Sequence, residues 1–204
     1  MNQFMSPEIL HALPPIGGMD DSPRGRVLRA AAYLFHEQGY ARTTVRELAL
    51  MVGIQSGSLF HHFKSKDAIL CAVMEEAIIY NLQQMHNAVD QGTTSTERLK
   101  GLILAELESI NGKTSHAMSV LVYEWNAITE QQQEPLLAMR EEYESLWIKV
   151  LDDLKQEGKV DHDTFICRRL ISGATFGTAL WYKPNGRISI AELAEVTLTM
   201  AMRG

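Results

Sequence analysis

The chain has no run long and uncharged enough to cross a membrane. Its longest stretch without Lys, Arg, Asp or Glu covers residues 48–63 and contains two His, a Gln and two Gly. Only two cysteines occur, Cys71 and Cys167, both in apolar surroundings. That excludes a disulfide framework and reads as two reduced thiols. The first twenty residues carry three prolines and no Lys or Arg. The basic start and apolar stretch of a secretory signal are therefore missing, and a cytoplasmic location is expected. No segment alternates apolar and polar residues with a period of two, so no strand is expected. Gly-rich phosphate loops, Gly-x-Ser-x-Gly and His-Glu-x-x-His are absent as well. No cofactor is implied, and an enzyme would have to assemble its site from distant residues. The adjacent His61 and His62 would point about 100° apart on a helix. Neither has a Cys, Asp or Glu three or four residues away, so no metal site is expected.

What is present is 204 residues, 46% apolar and 22% charged, enough for one large or two small globular domains. The formal net charge of −6 conceals an asymmetry. Residues 22–66 hold seven basic side chains (Arg24, Arg26, Arg29, Arg42, Arg46, Lys64, Lys66) against Glu37 and Glu47, a net +5, while the rest of the chain nets −11. An early basic segment on an acidic remainder suggests two parts with different partners, one of them a polyanion.

Helix punctuation is dense. Residues 1–21, rich in Pro, Gly and Asp without sustained periodicity, read as a flexible tail, although Phe4, Ile9, Leu10 and Leu13 could dock. Ser22-Pro23 supplies an N-cap and first-turn proline, Val27, Ala31, Leu34 and Phe35 share a face, and Gly39 stops the helix. Thr44-x-x-Glu47 is a capping box opening a two-turn helix that Gly53 ends, and a second short helix follows over 56–63. That sequence of parts is a helix-turn-helix. Further capping boxes stand at Thr94-x-x-Glu97 and Ser189-x-x-Glu192, Pro135 suits a first turn, Asp161 can cap, and Pro184-Asn185-Gly186 reads as a turn. The expected fold is all-α, with about nine helices. A flexible tail over 1–21, a helix-turn-helix DNA-binding domain over 22–66 and a second helical domain over 67–204 are its expected parts.

The residue types of the second short helix suit a major groove. Gln55, Ser56, Ser58, His61 and His62 can hydrogen-bond to phosphates and base edges, and Gly57 has no Cβ to hold the helix off the backbone. Leu59 and Phe63 would anchor its back. Lys64 and Lys66 follow where cations meet phosphates, and Thr43 and Thr44 stand with Arg46 at the start of the preceding helix. The run from Gly39 to Lys66, with Ala32-Tyr33-Leu34-Phe35 before it, closely resembles the N-terminal domain of TetR/AcrR-family transcriptional regulators. The resemblance covers residues 24–72. It implies an all-helical homodimer, each chain pairing a three-helix domain that binds double-stranded operator DNA with a divergent helical domain that binds an effector and dimerises. The DNA-binding set it implies is Thr43, Thr44, Arg46, Gln55, Ser56, Gly57, Ser58, His61, His62, Lys64 and Lys66. Two positions depart from the family pattern: Gln55 stands where Ser or Thr is usual, and Phe60 replaces Tyr, so one customary phosphate contact should be missing.

Met118, Leu121, Tyr123, Trp125, Asn126, Met139, Tyr143, Trp147, Phe176 and Trp181 would supply an apolar cavity with a few polar handles. The same residue types at helical spacing also make an ordinary core. The segments from Tyr123 to Trp147 and from Trp181 to Arg187 look like those of family members that sense fatty acyl-CoA or related CoA thioesters. Arg168, Arg169, Lys183 and Arg187 would then meet phosphates, or else be solvated charges. Gly173 and Gly177, two glycines on one helical face, cost about 1 kcal/mol each against Ala unless packing uses them. With Phe165, Arg169, Phe176, Leu193, Val196 and Met200 they outline an expected dimer face. The expectation is a repressor that a small hydrophobic effector releases. An activator, a corepressor-dependent regulator, or a helical carrier or enzyme using the helix-turn-helix for protein contacts stays open beside it.

Overall fold

Local hydrogen bonds at the helix starts organise the chain as the sequence leads one to expect. In the computed structural model, which describes residues 7–202, Ser22 caps α2 (Pro23–Gln38) by accepting from the Gly25 N–H. Thr44 and Glu47 close a capping box on α3 (Val45–Val52), which Gly53 ends in the left-handed region at φ 77°. There a Cβ would be strained. The short α4 (Ser56–Leu59) follows, and main-chain bonds from His61, His62 and Phe63 carry its winding on to residue 63. Next come α5 (Lys66–Gln91), α6 (Ser95–Asn111) with the Thr94 and Glu97 box, and α7 (Ser115–Tyr123). The chain continues with α8 (Glu130–Gln156), α9 (Thr164–Gly177) and α10 (Ile190–Ala201) with the Ser189 and Glu192 box. No strand occurs among the described residues.

Three local expectations shift. The α8 helix begins at Glu130, not near Pro135, because Thr129 and Gln132 form their own reciprocal cap, and Pro135 lies inside the helix. Asp163, not Asp161, caps α9 by accepting from the Ile166 N–H at 3.0 Å. The described part of the tail is built into the fold. Residues Pro7–Ala12 form a tenth helix, α1, that packs on α2 and α3 and buries Leu10. Ile16 and Met19 then pair through their main chains and are both buried. Glu76 of α5 accepts from the Gly18 N–H at 3.1 Å and from Arg24 at 3.0 Å, while Arg29 donates to the Met19 carbonyl and to Asp21. These partners stand up to 58 residues away, so local periodicity carries no sign of them. Phe4 lies outside the described residues.

The chain divides into two compact units. The first comprises the described residues to Tyr80 together with Lys113–Leu137, so α7 belongs with the N-terminal helices although the sequence assigns it to the second domain. It packs on α2, and its Ala117, Met118 and Val120 are buried. Val27, Leu28, Leu34, Phe35, Leu48 and Met51 are among the fully enclosed side chains of this unit. The second unit comprises Asn81–Gly112 and the described residues from Ala138 onward. In it α6 packs against α9 and α10 around Leu99, Leu102, Ile103, Leu107, Trp147 and Leu151. Each Leu so enclosed contributes about 1.5–3 kcal/mol.

Candidate nucleic-acid interface

The α3–turn–α4 unit is held from behind and open in front. Leu48, Met51 and Leu59 are fully buried and Phe63 nearly so, with Arg24 5.5 Å above the Phe63 ring. On the other side Thr44, Arg46, Gln55, Gly57, His61, His62 and Lys64 are exposed, and Ser56 and Ser58 are half-buried. Gln55 occupies the N-cap of α4 without bonding to it. Its amide therefore stays available, and an amide can pair bidentately with adenine. Nothing approaches within 4 Å of where a Gly57 Cβ would sit, so the protein itself does not require this glycine. Phe60 is exposed and has no group to donate.

Thr43 and Lys66 are placed differently from the expected set. Thr43 is 1% exposed and its hydroxyl donates to the Leu34 and Gly39 carbonyls, so it lies inside the protein and not at a phosphate. Lys66 is half-buried and gives two of its three donors to the Tyr40 and Thr43 carbonyls at 2.9 Å each, with its ammonium 4.1 Å above the Tyr40 ring. It ties the start of α5 to the loop before α3. Sequence reasoning missed Tyr40. Its hydroxyl donates to Asp67, its N–H donates to Glu124 at 2.9 Å, and burial and Asp67 push the phenol up, so it stays protonated.

The residues expected to line an effector cavity divide between the two units. Met118, Leu121, Tyr123, Trp125 and Asn126 belong to the first and the other five to the second. Tyr123 and Trp181 are 70% and 55% exposed. Trp147 is fully buried in the core of the second unit, 4.2 Å beneath the Arg168 guanidinium, and so does not line an open cavity. A groove of about 450 Å³ does open in this unit between the second half of α5 and α6, lined by Gln84, Asn87, Gln91, Lys100, Leu104 and Glu108. None of the expected residues lines it.

Arg168 is not a solvated charge or a free phosphate ligand. It is 1% exposed and pairs with the fully buried Glu106 and with Glu144. Burial opposes its charge, but the Glu106 and Glu144 carboxylates outweigh that and raise its pKa. Glu106 also accepts from the Tyr143 hydroxyl and, at 2.5 Å, from Thr175. Burial pushes the Tyr143 phenol well above its ordinary value, so it remains a donor.

Along α9 and α10, Phe165, Ile166, Leu170, Val196 and Met200 are between 50% and 78% exposed. Space is open at Gly173 and Gly177. Arg169 is exposed with its guanidinium 5.0 Å over Phe165, and Phe176 is half-buried. Leu193 departs from the expected face: it is 8% exposed and belongs to the core around α6, because α10 packs that side against α6.

Comparison with known proteins decides the family. Residues 27–73 match the bacterial regulatory proteins of the tetR family, and residues 92–204 match the tetracyclin repressor-like C-terminal domain. The chain belongs to the TetR family. It is 30% identical to the HTH-type transcriptional repressor KstR2 of Mycobacterium tuberculosis, over 93% of this chain and 96% of that one. Among solved structures, that of the superantigen PfiT shares 48% identity over 90% of this chain and 97% of its own, with a TM-score of 0.79. AibR, solved with isovaleryl coenzyme A and operator DNA, shares the fold at 21% identity and a TM-score of 0.78, over 87% of this chain and 96% of that one. As a TetR-family transcriptional regulator the chain carries its helix-turn-helix on α3 and α4, where the exposed polar side chains lie.

Proposed function

We propose that this protein is an effector-responsive repressor that binds a palindromic operator as a homodimer and is released by a small hydrophobic ligand, a fatty acyl-CoA or related thioester. The observation that carries the reading is the α3–α4 unit, apolar and closed behind Leu59 and Phe63, polar and open at Thr44, Arg46, Gln55, His61, His62 and Lys64. Each of these can face a phosphate or a base edge. Ser56, Gly57 and Ser58 let the backbone come close. The exposed apolar side chains of α9 and α10 support a symmetric interface through Phe165, Arg169, Gly173, Phe176, Gly177, Val196 and Met200. Two recognition helices would then stand about 34–36 Å apart, one turn of duplex.

A CoA thioester is supported by AibR, whose solved complex holds isovaleryl coenzyme A. Lys183 and Arg187 are exposed and suit its phosphates, whereas Arg168 is already paired. Met118, Leu121, Tyr123, Trp125 and Asn126 of the first unit, or Met139, Tyr143, Phe176 and Trp181 of the second, are the side chains proposed to meet the acyl part. Coupling of about 1–3 kcal/mol between the sites would change operator affinity about 5–150-fold.

Fluorescence anisotropy on a labelled duplex from upstream of the protein's own gene, at two salt concentrations, with and without a long-chain acyl-CoA, tests both halves. Tight, salt-steep binding that the thioester releases is the expected result. Binding unaffected by the thioester refutes the ligand class. Failure to bind that duplex or any member of a random-sequence duplex pool, with and without the thioester, refutes the regulator reading and favours a carrier.

A further inference from the structure

The first unit brings together three metal-ligating side chains that the DNA-binding surface does not use. His36 and Glu37 lie in the last turn of α2, and His116 lies in the first turn of α7, 80 residues further along the chain. One ligand atom from each falls within 4.8 Å of the other two. The His36 and His116 rings are 4.9 Å apart and tilted at 53°, and His36 Nε2 is 3.8 Å from the Glu37 carboxylate. We infer that His36, Glu37 and His116 form a binding site for a divalent transition ion of the zinc class.

Four observations bear on that inference. Two imidazoles and one carboxylate are an established three-ligand set for zinc, with a fourth position left to water or an added ligand. The hydroxyl of Ser119 lies 2.8 Å from His36 Nδ1. When it accepts the Nδ1 proton, Nε2 is left with its lone pair on the Glu37 side, the kind of outer hydrogen bond that orients metal-binding histidines. The His116 ring is half-buried and perpendicular to the Tyr33 ring at 5.4 Å, yet makes no hydrogen bond among the described residues. Zinc with bonds of about 2.0–2.1 Å holds its ligand atoms roughly 3.4 Å apart. The three ligand atoms lie within 4.8 Å of one another, so a shift of about 1.4 Å at the exposed His36 and Glu37 side chains would bring them to that spacing. The adjacent pair His61 and His62 has no such third partner on its helix, whereas here α7 supplies one from outside.

An ion held there would fasten α7 to α2, which in turn packs on α3. The test is titration of the full-length protein with Zn2+ against a chromophoric chelator, and with Co2+ followed by visible absorbance. One ion per chain is expected, with Co2+ giving the bands of a four-coordinate site. His36→Gln, at an exposed position, should weaken Zn2+ at least tenfold, as should His116→Gln, and His86→Gln should change nothing. Circular dichroism checks that each variant is folded. If His116→Gln unfolds, His36→Gln and Glu37→Gln carry the decision. Equal affinity in wild type and His36→Gln overturns the site, as does absence of binding at micromolar Zn2+.

Discussion

Replacing Glu106 by Gln should damage the second unit more than any surface change, because its carboxylate is the hub of a buried network. It is fully enclosed and accepts two bonds from Arg168, at 2.8 and 3.3 Å, one from Thr175 and one from Tyr143. A Gln keeps the shape but turns one oxygen into an amide donor, which faces donors already in place. Arg168 would also lose its fully buried counter-charge and keep only Glu144, which is 33% exposed. Breaking a buried pair in this way costs about 3–5 kcal/mol. For a chain of this size 1 kcal/mol moves the melting temperature by about 2–4 °C, so a fall of roughly 6–20 °C is expected. Removing both charges, Glu106→Met with Arg168→Met, should cost clearly less than the two single changes together, by at least about 2 kcal/mol. Urea unfolding followed by Trp147 fluorescence, with Trp125 and Trp181 replaced by Phe, reads this unit directly. A Glu106→Gln penalty under about 1 kcal/mol, or strict additivity, refutes the reasoning.

Three further outcomes are expected. Lys64→Ala should weaken operator binding on every sequence and flatten the salt dependence by about one unit, whereas Lys66→Met should lower thermal stability first, since its ammonium holds main-chain carbonyls; equal stability of the two variants would count against the placement of Lys66. Leu170→Glu, at a side chain 70% exposed, should turn the proposed dimer into a monomer in sedimentation equilibrium while leaving the fold intact, and an unchanged mass would rule α9 out of the interface. Hydrogen bonds from Thr93 and Thr94 hold the Glu97 carboxyl below its ordinary value, and Ser189 does the same to Glu192. Their stabilisation is present above the unfolded carboxyl pKa of about 4.3 and disappears as pH falls through the lower folded value. Glu97→Gln with Glu192→Gln should flatten the urea midpoint between pH 5 and 3, and an unchanged profile would refute the cap contribution.

What the sequence by itself determined is whatever is settled within one helical turn. Ser22, Thr44, Thr94 and Ser189 announce helix starts, and Gly39 and Gly53 announce stops, because cap hydrogen bonds and left-handed backbone reach only three or four residues. The basic, polar face of the helix-turn-helix was legible for the same reason, since α4 has one apolar side and the rest must face out. Tertiary structure alone decided which polar side chains lie inside. Thr43 and Lys66 look like phosphate ligands until the main-chain carbonyls of Leu34, Gly39 and Tyr40 close around them. Arg168 looks solvated until Glu106, 62 residues away, is buried beside it. Glu76 holds Gly18 of the N-terminal tail, and α7 brings His116 to His36, through contacts of the same long reach. Burial of a charge or a hydrogen-bonding group depends on partners from distant segments, and no local pattern records where those segments will meet.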